Sequence, residues 1–367
     1  MWRYLADDGV SAAFGLAADE TLARRQGAAS SPPTLRLYTY ASHCALVGRF
    51  QRLPSELRLE ACRRLGVDLN RRPTGGGAIV MGRDQLGVAI TLPAAPGARA
   101  YDGTRALFAR FSAGITGALH QLGIDAEYRR KNDVEVGRRK IAGLGIYFDP
   151  AGGLLFHASL LVDLDIGLML SVLRTPFEKI SDKEIATVTE RMTTVRRELG
   201  RPVSLDEVRD RVREAYACSL GVELAPGGFS AAELTDIADL ERERYRTAAW
   251  LDREPATPDA AGSASIKTAG GLLTAHLTLA GDVIKAVYLT GDFFTDDSVV
   301  AGMERALRWR GASREALRQA LDDLREREGL ALPGVPSEAV AQVIEHAAGA
   351  ARQRERLGLS KGCFVNP

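Results

Sequence analysis

Over residues 10–26 apolar positions recur at helical spacing, which predicts a helix with Asp19 and Glu20 on its other face. Alternation over 35–40 and a short apolar run over 45–47, ending at Gly48, predict two strands. Residues 54–65 form a second helical pattern, with Pro54 in the first turn, where its missing N–H does no harm. A short strand over 67–70 leads into Arg71-Arg72-Pro73-Thr74-Gly75-Gly76-Gly77, and 78–80 and 86–92 read as returning strands. An amphipathic helix is expected over 104–122. Strands follow over 126–128, 134–136, 140–148 and 154–162, separated by Gly and Asn/Asp turns. Helices are predicted over 181–199 and 205–220; before the second, Ser204 stands three residues ahead of Glu207, a capping-box pattern.

Strands and helices mix without regular βαβ alternation. The expected fold class is therefore α+β, a mixed or antiparallel sheet with flanking helices. Residues 251–265 are rich in Pro, Ala, Gly and Ser and read as a linker or long loop. Strand patterns over 266–268, 272–279 and 283–290, then helical patterns over 299–309, 313–325 and 337–348, predict a small α+β accessory domain. The expected division is a large domain over 1–250, an accessory domain over 262–350 and a C-terminal tail over 351–367.

Charge narrows the partners. Lys and Arg number 48 against 47 Asp and Glu, a balance that argues against non-specific nucleic-acid binding as the main task. No apolar run reaches the length of a membrane span, and Met1 to Asp8 lacks the apolar stretch of a signal peptide. Cys44, Cys62, Cys218 and Cys363 form no CxxC pair, so a zinc knuckle or redox motif is unsupported. The expected location is a reducing cytoplasm, with no nucleic acid and no membrane as partner.

Three segments carry candidate chemistry. Gly75-Gly76-Gly77 leaves backbone N–H groups unscreened, and Arg71 and Arg72 add fixed charge, a combination suited to a phosphate-bearing ligand. A flexible hairpin with solvated arginines has the same spacing. It is neither a Walker A loop nor GxGxxG. In Lys131-Asn132-Asp133-Val134-Glu135-Val136-Gly137-Arg138-Arg139-Lys140-Ile141-Ala142-Gly143, Lys140 opens a strand and can turn its ammonium into a cleft; a solvated strand-edge lysine is the alternative. His157 falls inside the apolar strand 154–162, where a satisfied core histidine is the commoner role. Asp163 and Asp165 end that strand as capping candidates.

Taken together and in order, these segments resemble the lipoate–protein ligase family of the biotin/lipoate ligase superfamily. Ala17-Ala18-Asp19-Glu20 is similar to the family's first-helix signature, and Gly48-Arg49-Phe50-Gln51 to its GRxQ strand end. RRPTGGGAIV, KNDVEVGRRKIAG and HASLLVDLD resemble its glycine loop, its Asn-Asp…Gly-x-x-Lys segment and its His-Gly-(Ser/Thr)-Leu-Leu strand. Thr189 to Val195, Tyr245 to Trp250, and Gly270-Gly271-Leu272 with Gly291 to Phe294 resemble later family segments, so the match spans 10–345.

The resemblance implies ATP-dependent activation of lipoate or octanoate to acyl-AMP, then transfer to a lysine of a lipoyl carrier domain. It makes Lys140 the central catalytic residue. Arg71 and Arg72 would face phosphate or carboxylate, and Gly75, Gly76 and Gly77 would line the pocket. Asn132 and Asp133 would orient the nucleotide or its Mg2+, with Asp133 the candidate metal ligand. Arg49, Ala78, Gly143 and His157 are carried over as further substrate or nucleotide contacts, and Ile79, Leu86 and Val88 as walls of an apolar acyl tunnel. Departures from the family pattern are Met81-Gly82 for His-Asp, Ala142 for Ser and Ala158 for Gly, which leave the acyl chain and the carrier open. The alternatives are an ATP-independent octanoyl or lipoyl transferase, a non-catalytic acyl- or carrier-binding homologue and, more distantly, a biotin ligase. A transferase needs a thiolate near the lysine, and residues 71–199 contain no cysteine.

Overall fold

A computed structural model describes residues 1–98, 101–129, 132–174, 188–252 and 261–356. The chain divides into two compact units. The first comprises Met1–Val47, Leu53–Thr74 and Ala78–Asp252; the second comprises Gly48–Arg52, Gly75–Gly77 and Arg253–Pro367.

The strands of the first unit are β1 Trp2–Val10, β2 Thr34–Tyr40, β3 Cys44–Val47, β4 Asp68–Arg71, β5 Ile79–Met81, β6 Gln85–Pro93, β7 Glu127–Arg129, β8 Asp133–Val136, β9 Arg139–Phe148, β10 Gly153–Leu161 and β11 Leu224–Pro226. Eight of them form one sheet in the order β11-β1-β2-β6-β10-β9-β8-β7. β1 runs parallel to β2 and β11, and the other pairs are antiparallel, so the sheet is mixed, as the pattern predicted. β3 joins β4 and β5 in a separate three-stranded sheet.

Five of the helical segments are labelled α1 Ala12–Gly27, α2 Tyr101–Gln121, α3 Val195–Leu199, α4 Leu205–Leu220 and α5 Ala231–Leu240; shorter ones span Leu53–Glu56, Leu59–Arg64, Ile166–Val172, Glu241–Tyr245 and Ala248–Leu251. Strand alternation sends Leu86, Val88, Ile90, Phe156, Ala158 and Leu160 to one side of the large sheet. There they pack with Phe111 and Ile115 of α2 and Val208, Val212 and Tyr216 of α4. The opposite side, with Tyr38, Ala89 and Leu155, packs against Leu16 and Ala17 of α1.

Helix α1 is buried almost all round, which corrects the expectation that Asp19 and Glu20 occupy a separate polar face. They are 1 % and 0 % exposed. Each carboxylate is partnered, the condition under which burial is tolerable. Asp19 accepts from Arg36 at 2.7 Å and from the Tyr38 hydroxyl at 3.1 Å. Glu20 accepts from the Tyr245 hydroxyl at 2.5 Å and pairs with Arg244.

Strand β1 and helix α5 were not anticipated. The predicted helix over 181–199 lies partly outside the described residues. Its described remainder breaks before Thr194, whose side chain accepts from the Arg197 N–H and starts α3. Ser204 caps α4 through the Glu207 N–H at 3.0 Å; the Glu207 carboxylate turns instead to Arg201.

In the second unit β12 Gly262–Thr268, β13 Gly271–Ala280 and β14 Val283–Gly291 form an antiparallel meander with α6 Asp297–Leu307, α7 Arg314–Glu328 and α8 Ser337–Arg356. Its core joins Leu273, Phe293, Met303 and Ile344, with Phe50 among them. Helix α8 continues through Arg356 with Ala351 buried, so residues 351–356 are helix where a tail was expected. Cys363 lies outside the described residues. Among the described residues no helix is long and apolar enough to cross a membrane.

Candidate active site

The α1-facing side of the large sheet carries a row of residues in register across five strands. Tyr38 of β2 lies opposite Gly87 of β6, which lies opposite Ser159 of β10. Ser159 lies opposite Gly143 of β9, and Gly143 opposite Asp133 of β8. The Lys140 ammonium is 2.6 Å from Asp133 Oδ1, both side chains about one-third exposed. A Cβ added to Gly143 would stand 3.1 Å from Lys140 Nζ and 3.5 Å from Ser159 Oγ. The ammonium therefore rests over bare backbone, beside a hydroxyl. The Lys140 backbone is clamped as well, its N–H on the Arg191 carbonyl and its carbonyl on the Thr193 N–H.

One register step along the strands, His157 lies between Ala89 and Gly145. Its Nε2 is 2.9 Å from the Thr74 hydroxyl, and both residues are buried. Burial, together with the charge of Arg72, pushes the His157 pKa down to about 3, so the imidazole is neutral at physiological pH. The absent Gly145 side chain makes room for the ring: a Cβ there would meet His157 Nε2 at 2.5 Å.

The other predicted residues of this unit are less uniform. Arg71 is held by backbone carbonyls. Its fully buried guanidinium donates to the Trp250 and Leu251 carbonyls at 2.9 Å each, and the Trp250 indole N–H donates back to the Arg71 carbonyl at 3.0 Å. Arg72 donates to the Leu46 carbonyl at 2.7 Å, and burial pulls its pKa down to about 10. Asn132 fastens β9 through both its backbone carbonyl and its side-chain amide, on the N–H and carbonyl of Leu144. Ala78 packs beside Leu57 and Val80. Leu86 and Val88 belong to the opposite side of the sheet and cannot line a tunnel on this one; Ile79 packs with the α1 side.

Arg49, Gly75, Gly76 and Gly77 belong to the second unit. Arg49 pairs with Asp297, the first residue of α6. Phe50 stacks on Phe293 with ring centroids 5.0 Å apart, and its carbonyl accepts from the Gly291 N–H. Gln51 closes the turn by accepting from the Gly48 N–H at 2.9 Å. Gly75 must be glycine because a Cβ would sit 2.0 Å from the Phe293 carbonyl oxygen, and Gly76 has φ +93°.

Asp133 is committed to Lys140, and among the described residues no group of three His, Cys, Asp or Glu could hold a metal ion. Of the thiols, Cys44 and Cys62 are buried and burial pushes both pKa values up, whereas Cys218 is exposed on α4.

Three participants escaped sequence reasoning. Arg36 is fully buried between Asp7 and Asp19, with Tyr38 beneath its guanidinium at 4.1 Å. Thr74 is the partner of His157. Ser159 sits in the motif HASLL, where only the histidine drew attention. The available signal was period two: Ser159 and His157 share a face, and so do Gly143 and Gly145.

The model of the lipoyl protein ligase A/B catalytic domain matches residues 11–217. An octanoyltransferase LipM of Kyrpidia tusciae is 30% identical over 69% of this chain and 99% of its own. A bipartite lipoate protein ligase of Thermoplasma acidophilum, solved in a study of an archaeal lipoylation system, superposes with a TM-score of 0.61 at 26% identity, covering 70% of this chain and 98% of that one. A lipoate-protein ligase A bound with ATP superposes with a TM-score of 0.59 at 25% identity, covering 68% and 97%.

Proposed function

The chain belongs to the lipoyl protein ligase A/B catalytic domain family, and from that premise we propose that it is an ATP-dependent lipoate–protein ligase, making acyl-AMP from lipoate or octanoate and passing the acyl group to a carrier lysine. The observation that carries this reading is the Lys140 ammonium held by Asp133 over Gly143, with no thiol in the row.

In the first half-reaction a carboxylate oxygen of the acid attacks the α-phosphorus of ATP. One C(O)O–P bond forms and the bond to pyrophosphate breaks. Lys140 is the point charge that lets two anions approach, and Asp133 fixes where it stands. Magnesium, as the companion of the nucleotide, would neutralise phosphate charge; with Asp133 engaged by Lys140, no protein step is assigned to it. In the second half-reaction the neutral amine of a carrier lysine attacks the acyl carbonyl. The C–O bond to AMP breaks, the amide forms and the amine proton passes to solvent. Lys140 stays charged beside the leaving phosphate throughout.

A second reading is octanoyl transfer between carriers without ATP, favoured by the name of the Kyrpidia tusciae relative. Its acyl-enzyme would require an accessible thiolate. Cys44 and Cys62 are buried with raised pKa values, and Cys218 lies on α4, which packs on the other side of the sheet from Lys140. The test offers an unmodified lipoyl domain two donors in parallel: octanoate with ATP, or an octanoylated carrier protein without it. The acceptor's mass increase is then read. Our reading predicts modification with the first donor only. Modification with the second donor alone would replace it with the transferase reading.

A further inference from the structure

The turn between α6 and α7 presents an indole to solvent. Trp309 is 63 % exposed and is the only exposed aromatic residue among the described residues. A single apolar side chain at a surface is ordinary, but this one is held there. Its backbone has φ +65°, a left-handed conformation that glycine takes freely and a bulky residue rarely adopts. The turn enforces that conformation. Leu307 before it and Ala312 after it belong to the core of the second unit. Between them the Trp309 N–H donates to the Ile284 carbonyl at 2.7 Å, and the Ile284 N–H donates to the Arg310 carbonyl at 2.9 Å. Strain of this kind persists where the surroundings impose it, and it gathers at functional positions.

The charges beside the ring are of one sign. Arg308 and Arg310 flank it, and Lys285 follows Ile284; all three are exposed and make no ion pair among the described residues. The other cations next to this turn do have carboxylates, Arg305 with Glu328 and Arg352 with Asp282. Glu304, one helical turn before Arg308, accepts from the Leu289 N–H at 2.9 Å. The surplus positive charge around Trp309 therefore calls for an acidic partner. Trp and Arg are the residues that dominate binding energy at protein interfaces, and a ring on a pinned turn loses little freedom on being covered. A nucleic acid would call for a basic track, whereas here the cations frame one aromatic ring and the chain as a whole balances 48 Lys and Arg against 47 Asp and Glu.

We propose that Trp309, with Arg308, Arg310 and Lys285, is a docking surface for the acceptor carrier domain, whose matching face is an apolar pocket for the indole bordered by carboxylates. This assignment rests on the reading that the chain acylates a carrier lysine. It holds for either acyl donor, because both routes end on that domain. The acceptor lysine engages the first unit and the indole anchors the same protein to the second. Two contacts on one chain act as a bivalent grip, so the anchor need not be strong by itself. The three cations speed the encounter with an acidic carrier and reject basic proteins.

The test measures equilibrium binding of an unmodified lipoyl domain to the full chain, and KM for that domain when it is acylated from octanoate with ATP or from an octanoylated carrier. The parent is compared with Trp309→Ala, Trp309→Gly and the double variant Arg308→Glu, Arg310→Glu. Trp309→Ala is expected to weaken binding by about tenfold or more, with the effect on acylation in KM rather than kcat. Trp309→Gly should weaken binding as much while melting no lower than the parent, since glycine suits the left-handed backbone. The double variant should lose about tenfold at low salt and converge on the parent at about 0.5 M salt. Binding by Trp309→Ala and by the double variant within about twofold of the parent would overturn the proposal. So would a parent that binds no lipoyl domain, or one that uses Trp309 to bind oligothymidylate instead. If the parent binds the lipoyl domain through Trp309 yet acylates it from neither donor, the acylation reading fails and the docking surface stands.

Discussion

The His157 imidazole and the Thr74 hydroxyl meet at 2.9 Å, and this bond joins the middle of β10 to the last residue before the three glycines. The ring is held neutral by burial, its pKa lowered to about 3 from an ordinary 6.5. Between those values the unfolded chain binds a proton that the folded chain does not. Stability from this site is therefore fully present above pH 6.5 and falls as pH drops toward 3, by up to about 1.4 kcal/mol per pH unit. Denaturant unfolding at pH 7 and pH 5 should show a smaller acid loss for His157→Gln than for the parent. Equal losses would place the His157 proton elsewhere.

Arg71 is predicted to matter for stability. Its guanidinium satisfies two carbonyls at 250 and 251 from a buried position, and Trp250 closes the loop. Arg71→Lys cannot reproduce that fork. It should lower unfolding free energy by about 1–3 kcal/mol, with KM for ATP little changed in the folded fraction. A KM rise without a stability loss would return Arg71 to the role of an anion contact.

Gly143 and Gly145 should respond differently to the same methyl group. At Gly143 the new Cβ meets the flexible end of Lys140, at 3.1 Å, so Gly143→Ala should fold while the ammonium shifts. A displacement of that kind lowers acyl-AMP formation by about a hundredfold. At Gly145 the Cβ meets the His157 ring at 2.5 Å and Thr74 at 3.3 Å, both buried, so Gly145→Ala should destabilise by about 1–3 kcal/mol. Melting temperatures and adenylation rates of the pair separate the two effects. Parallel behaviour would contradict the arrangement described.

Replacing Cys44, Cys62, Cys218 and Cys363 together by alanine is expected to leave acyl transfer to the carrier within about threefold, given that buried cysteines act as small apolar residues. An acylated cysteine trapped by mass spectrometry in the parent, or loss of transfer in the variant while it stays folded, would establish a thioester route.

The alternation of apolar positions was enough to read most of the large sheet and the meander of the second unit, because period two and turn residues act locally. The order of the motifs was enough to bring Asp133, Lys140 and Gly143 together on paper, and the hairpin of β8 and β9 does so. What local pattern could not reveal was pairing over long sequence distance. Asp19 and Glu20 look like solvent residues until Arg36, Arg244 and Tyr245 are folded onto them. Nor does the local pattern show that Arg71 donates to the carbonyls of residues 250 and 251, 179 and 180 positions away. Leu86 and Val88 were given to the wrong side of the sheet because register decides the side, and a single residue of offset reverses it. The same register, once seen, exposed Ser159.

The central claim is that this chain activates a carboxylic acid as its adenylate at Lys140. ATP–pyrophosphate exchange, measured on the purified parent and on Lys140→Ala with lipoate, octanoate or no acid, tests it most directly. The account predicts exchange that depends on the acid in the parent and is lost in a Lys140→Ala protein that remains folded. Absence of acid-dependent exchange in the parent, or near-parental exchange in Lys140→Ala, would contradict it.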